Sequence, residues 1–135
     1  MIPGFRRLDD GTLVEPRSLL PPGPEPPWLD RVTDDGHTHR ERLAAAEAIV
    51  ARIVGGWRPD ETDLDDAPLL DRWIPLVADD AGVLIGEVVR HPVLHGVRRR
   101  IATSMLLAIG GELAWARTIS RFYRLGHPLG REDDA

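Results

Sequence analysis

Apolar residues recur at helical spacing between positions 43 and 54. Leu43, Ala46, Val50, Ile53 and Val54 fall at i, i+3, i+7, i+10 and i+11, which leaves Glu41, Arg42, Glu47 and Arg52 for solvent. Just ahead, Thr38-His39-Arg40-Glu41 fits a capping box, with the threonine hydroxyl accepting from a first-turn amide and the glutamate reaching back. Gly55-Gly56 admits left-handed backbone and closes the element, so the pattern predicts a helix over 38–54 with its stripe on a core. A second, shorter helix is predicted over 67–73. Asp60, Glu61, Asp63, Asp65 and Asp66 precede it as N-terminal charge, Pro68 stands in its first turn, and Leu69, Leu70 and Trp73 face inward.

The pattern then changes to short, β-branched runs. Gly82 to Arg90 reads as a strand that stops at His91-Pro92, where proline removes a ladder donor. Gly96 carries the following loop. Arg98 to Leu107 returns as a second strand, with Arg100, Ala102 and Ser104 on one face and Ile101, Thr103 and Met105 on the other. Gly110-Gly111 signals another turn, and Leu113 to Leu125 is read as a third strand ending at Gly126 and Pro128. Within it Trp115, Ile119, Phe122 and Tyr123 also fit helical spacing, which leaves a helix open. The fold expected is α+β: an N-terminal proline-rich flexible arm (1–36), then a single domain (37–128) and an acidic tail (129–135). The domain comprises two helices (38–54 and 67–73) and a three-stranded antiparallel β-meander (82–126), covered by the first helix because a small sheet is marginal alone.

The arm is assigned on composition. Seven of the twelve prolines fall before residue 36, in stretches such as PPGPEPPW ending at Trp28, and no period is sustained there. It is read as a linker that packs Trp28 back onto the domain, the alternative being a polyproline ligand. Asp10-Gly11 is a favoured turn pair, so a small hairpin over 5–14 is compatible with the sequence.

The landmarks of the second half come in a distinctive order: Asp-Ala-Pro-Leu-Leu-Asp-Arg-Trp at 66–73, His91-Pro92, a loop at Gly96, Ile-Ala-Thr-Ser at 101–104, and Trp-Ala-Arg-Thr-Ile-Ser-Arg-Phe-Tyr-Arg-Leu-Gly at 115–126. This order resembles a short uncharacterised bacterial protein family, a domain of unknown function, whose members share a DAPLLxxW segment, a Gly-His-Pro hairpin, IxTS and a C-terminal WARTxSRxYRLG signature. The resemblance covers Asp63 to Pro128, with Arg90 standing where that family usually has glycine. It implies a fold, favours a strand for 113–125 and assigns no activity.

Composition narrows the chemistry. There is no cysteine among the 135 residues, so disulfides and thiolate catalysis are excluded and a reducing cytoplasm is compatible. No run approaches the roughly 20 apolar residues of a membrane span, and the N-terminus lacks a secretory apolar core; a cytoplasmic protein with no membrane association is expected. All 17 basic residues are arginine. They are unevenly placed: 9 against 17 acids over residues 1–80, but 7 against 2 over 81–127. An acidic front half thus adjoins a basic second half, which suits an anionic partner or internal pairing.

No complete catalytic or cofactor motif is present. Glu87, His91 and His95 form the densest metal-like set, but Pro92 opposes the helix that would align the histidines. The acids from Asp60 to Asp66 lack the glycine and twelfth-position glutamate of a calcium loop. Ser104, Thr118 and Ser120 stand in no nucleophile elbow and are read as cross-strand or local hydrogen-bonding hydroxyls. Phosphate-loop and dinucleotide fingerprints are missing too. The constellation that remains is Arg98, Arg99, Arg100, Arg117, Arg121 and Arg124 interleaved with Trp115, Phe122 and Tyr123. The expected function is a non-enzymatic interaction protein, a small accessory or inhibitory protein of the kind mobile elements carry. Its expected partner-binding residues are those six arginines with Trp115 and Tyr123, and its partner an acidic protein. The alternatives are a nucleic acid read by the same residues, through phosphates and stacked bases, and a purely structural set of arginines.

Overall fold

Alternation decides the clearest strand: from Gly82 to Val88 every second residue is buried, and Leu84 and Val88 enter the main core. The structure is a computed structural model that describes residues 4–16, 19, 23–33, 36–78, 81–89 and 99–130. Its strands are β1 (Arg6–Arg7), β2 (Leu13–Val14), β3 (Leu69–Ala78), β4 (Ala81–Val89), β5 (Arg99–Ala102), β6 (Leu106–Ile109), β7 (Trp115–Thr118) and β8 (Phe122–Leu125). All eight join one sheet in the order β1-β2-β6-β7-β8-β3-β4-β5. Neighbours are antiparallel except β3 and β8, which run parallel through Leu69 opposite Arg124 and Leu70 opposite Leu125. A 3₁₀ turn (Pro27–Asp30) and helices α1 (His39–Val54) and α2 (Glu61–Leu64) complete the elements.

The sheet curls. β4 and β6 touch although three strands lie between them in the hydrogen-bonded order, and Leu84, Val88, Leu106, Ile109, Ala116, Tyr123, Leu70 and Trp73 fill the concavity. On the outer face α1 lays Ile53 and Ile49 over Val14, Ala108, Trp115 and Phe122. Burying both faces of β6 to β8 explains why Leu106–Ile109 is a continuous apolar run rather than an alternating one.

The capping box forms as the sequence predicts: Glu41 N–H donates to Thr38 Oγ1 at 3.1 Å and Thr38 N–H to Glu41 Oε1 at 3.0 Å. Gly56, at φ 108°, follows the helix end. Of the apolar stripe, Leu43, Ala46 and Ile53 are buried, Val50 is half-buried beside a cleft, and Val54 is exposed.

The rest of the α+β expectation is corrected. A large mixed eight-stranded sheet replaces two helices on a three-stranded meander. The predicted helix over 67–73 is the start of β3, and helical turns precede it at Glu61–Leu64 under a capping box of Asp60 and Asp63. The strand expected over 98–107 is two strands, β5 and β6, at separate places in the sheet, because Thr103 leaves the ladder: its hydroxyl accepts from Leu84 N–H and donates to the Ser104 carbonyl. The third segment is also two strands, folded back at Ile119–Ser120, where Thr118 N–H donates to Arg121 O. The loop at His91, Pro92, His95 and Gly96, together with Arg98, lies outside the described residues.

Part of the presumed arm is sheet. β1 and β2 pair around Gly11, at φ 90°, and β2 continues onto β6. A Cβ on Gly111 would land on the Asp10 carbonyl, so the two turns meet backbone to backbone. Arg6 and Arg7 on one edge and Arg99 and Arg100 on the other are exposed, charges of the kind that blunt edge-to-edge aggregation.

Asp10 ties this hairpin to the segment after α1. Arg58 donates to both its oxygens, Nε at 2.8 Å and Nη2 at 3.1 Å, and Thr12 N–H adds a third bond. Chiefly through Arg58, the Asp10 carboxyl is held well below its ordinary 3.8. A depressed folded value means that the contribution is in place above 3.8 and is lost as pH falls through it toward the folded value. In denaturant unfolding, Asp10→Asn should therefore be less stable than the parent at pH 7, and the gap should close progressively below pH 3.8. A gap that persists unchanged at acid pH would contradict the assignment.

Candidate functional site

The expected arginine set divides between places far apart in the sheet. Arg99 and Arg100 lie exposed on the edge strand β5, opposite Val88 and Glu87. Arg117 and Arg121 belong to β7 and to the turn before β8, with β3 and β4 intervening. Arg124 on β8 is half-buried and donates to the Ala67 carbonyl at 3.1 Å. The aromatic members are interior: Trp115 is 9% exposed and packs under α1, and Tyr123 is 3% exposed within the concave core. Phe122 is half-buried between Trp57, Trp115 and the Arg117 guanidinium.

Strand alternation places Arg117 on the helix side with Trp115. Its guanidinium lies 5.0 Å from the Phe122 ring centre, and among the described residues its protein acceptor is the Ile119 carbonyl, 3.4 Å from Nη2. The Nε atoms of Arg117 and of Arg121 are buried without a partner. Burial, then the neighbouring charges of Arg121 and Arg42, bring Arg117 down to about 10, so it remains cationic at neutral pH. A cleft of about 360 Å³ beside Val50 and Leu107 is lined mainly by carbon, with Glu15 and Glu47 at its side. A second cleft, about 320 Å³, opens above Arg117 between the first turns of α1 and the β7–β8 turn, and is lined by His37, Glu41, Arg42, Ala45, Arg117, Ile119 and Ser120.

Glu41 lines this second cleft as a carboxylate: its Oε1 accepts from Thr38 N–H and its Oε2 lies 3.6 Å from His37 Nδ1, so the capping box and His37 engage both oxygens. Ser120 and Ser104 share a hydroxyl contact of 3.1 Å, and Ser120 N–H donates to Ser104 Oγ at 3.3 Å. The hydroxyls of Ser104, Thr118 and Ser120 thus hold the β7–β8 turn, Thr118 through Arg121.

Comparison with known proteins places this site in a context. The model of the family described as "Family of unknown function (DUF6634)" matches residues 38–134, from the α1 cap past the last strand. The chain belongs to that family. The match takes in all of α1 and β3 to β8, and so every lining residue of the second cleft but His37; β1 and β2 lie outside it. No curated protein and no solved structure matches the chain. Among the described residues no helix is long and apolar enough to cross a membrane, and no three His, Cys, Asp or Glu side chains gather as metal ligands.

Sequence reasoning singled out Arg117 and Arg121 but not Arg42 or His37. No local pattern ties the solvent side of α1 to the β7–β8 turn. Only the packing of Ile49 and Ile53 over β6 to β8 brings them together.

Proposed function

We propose that the protein is a non-enzymatic interaction protein that holds an acidic protein partner through Arg117 and Arg121, with Arg42 beside them. One observation carries this reading: two adjacent, half-buried guanidiniums have no carboxylate within ion-pair distance among the described residues. Among the other half-buried described arginines, Arg40 is paired with Glu25 and Asp30 and Arg58 with Asp10, while Arg124 bonds the Ala67 carbonyl. Burying cationic groups without a counter-charge costs free energy, which an incoming anion offsets. The interior position of Trp115 and Tyr123 disfavours nucleic acid, because stacking on bases needs exposed rings. Arg99 and Arg100 contribute at most a second, separate contact on the β5 edge.

Fluorescence anisotropy with acidic peptides and with single-stranded DNA tests the reading. Acidic peptides should bind, and Arg117→Gln with Arg121→Gln should weaken them by about tenfold or more, the scale of losing charge-assisted bonds. Binding that survives this double change but is lost with Arg99→Gln and Arg100→Gln would move the site to the edge strand. Tighter binding of DNA than of any peptide, falling log-linearly with salt, would replace the partner class.

A further inference from the structure

Taking the partner reading as its base, we propose that the cleft between α1 and the β7–β8 turn is a binding site for a phosphate monoester group. A lone carboxylate is satisfied by one guanidinium fork, whereas this cleft offers donors from several directions. Arg117 rises from β7, Arg42 and His37 come from the start of α1, and Ser120 stands on the turn. Arg121, outside the cleft lining, is near enough to Arg117 to add positive potential. A phosphate monoester has three terminal oxygens and close to two negative charges at neutral pH, matching a tripod of cationic and hydroxyl donors better than a planar acid does.

The serine pair fits this use. Ser104 Oγ already accepts from Ser120 N–H, so the arrangement in which Ser104 donates to Ser120 Oγ leaves the Ser120 hydroxyl hydrogen for the cleft. Arg117 is held for the purpose by the Phe122 ring on its face and by the Ile119 carbonyl on Nη2. A volume of about 320 Å³ admits a phosphorylated side chain. Among the described residues Glu41 is the one acid lining the cleft, and its oxygens are turned to the Thr38 N–H and to His37 Nδ1.

Isothermal titration of the full chain with inorganic phosphate, with a phosphoserine peptide and with the same peptide bearing glutamate tests the proposal. The phosphopeptide should bind at least about tenfold tighter than its glutamate form, and Arg117→Lys, which keeps the charge and loses the fork, should remove most of that preference. Ser120→Ala should weaken it severalfold, while Arg99→Gln with Arg100→Gln should leave it unchanged. A second measurement needs no variant: on adding phosphate to the parent protein, the Nε–H of Arg117 and the amides of Ser120 and Arg121 should shift in NMR, and those of Arg99 and Arg100 should not. Equal affinity for the phosphate and glutamate peptides overturns the phosphate site and leaves the acidic partner standing. If free phosphate binds at these residues and neither peptide does, the cleft is upheld for a phosphorylated small molecule and the protein-partner reading falls. Shifts confined to Arg99 and Arg100 overturn the site outright.

Discussion

Ile53→Asp is expected to abolish cooperative thermal unfolding. Ile53 is fully buried, 0% exposed, where the last turn of α1 meets Val14, Ala108 and Trp115. An aspartate there either carries an unpaired charge into an apolar layer or pulls the helix off the sheet. The cost should exceed about 4 kcal/mol, most of what a domain of this size holds in reserve. Loss of α1 would also uncover the outer face of β6 to β8, so the protein should bind hydrophobic dyes and elute early on gel filtration. Ile53→Val is the control, with an expected loss of about 0.5–1.5 kcal/mol and the transition kept. Val50→Asp, at the half-buried position one turn earlier, should be tolerated far better, because Val50 borders an open cleft. A parent-like melt for Ile53→Asp in circular dichroism would refute the placement of α1.

Trp73→Ala should destabilise by about 3–5 kcal/mol, the range for truncating a large buried aromatic. The Trp73 side chain is 3% exposed and its Nε1–H donates to the Gly126 carbonyl at 3.0 Å. Its backbone forms a further pair of bonds to the C-terminal segment, accepting from Leu129 N–H at 2.8 Å and donating to His127 O at 3.3 Å. Removing the ring therefore empties its place in the concave core and takes away one hold on the chain after β8, where the residue-73 backbone bonds and the Asp71 Oδ1 bond from His127 N–H remain. Hydrogen exchange should show the amides of Gly126, His127 and Leu129 losing protection more than those of β6. Trp73→Phe separates the two effects, keeping most of the volume and losing the Nε1 bond, with an expected cost near 1 kcal/mol. Uniform loss of protection across the sheet in Trp73→Ala would mean that Trp73 supports the whole core and has no particular hold on the C-terminal segment.

Trp73 also explains why the sequence misleads at this place. Leu70 and Trp73 are three apart, a helical spacing, and both are core. In a regular strand they would point to opposite faces. A register shift between Asp71 and Ile74, with Arg72 at φ 50°, inserts the irregularity that turns both inward. An arginine in left-handed backbone gives no sequence signal of a bulge, since glycine or asparagine is what normally marks one. The two expectations over 98–107 and 113–125 fail for a related reason: each run is one stretch of strand-forming residues, and a break at Thr103 or Ile119–Ser120 is made by tertiary hydrogen bonds rather than by proline or glycine.

What the sequence determined by itself is local. The α1 cap and stop and the strand read over Gly82 to Arg90, found at Ala81–Val89, rest on residues within a few positions of one another, where periodicity and capping chemistry act directly, and the family resemblance rests on the order of such local motifs along the second half. Tertiary structure decided which strands are neighbours. The parallel pairing of β3 with β8, the enrolment of β2 beside β6 and the curl that brings β4 to β6 depend on contacts between distant segments, whose free energy comes from burying a shared core that no single stretch encodes. The cleft follows from the same cause. Arg42 and Arg117 each belong to a locally legible element, but they share a cleft because α1 buries its apolar stripe on β6 to β8, which turns its first, polar turns toward the β7–β8 turn.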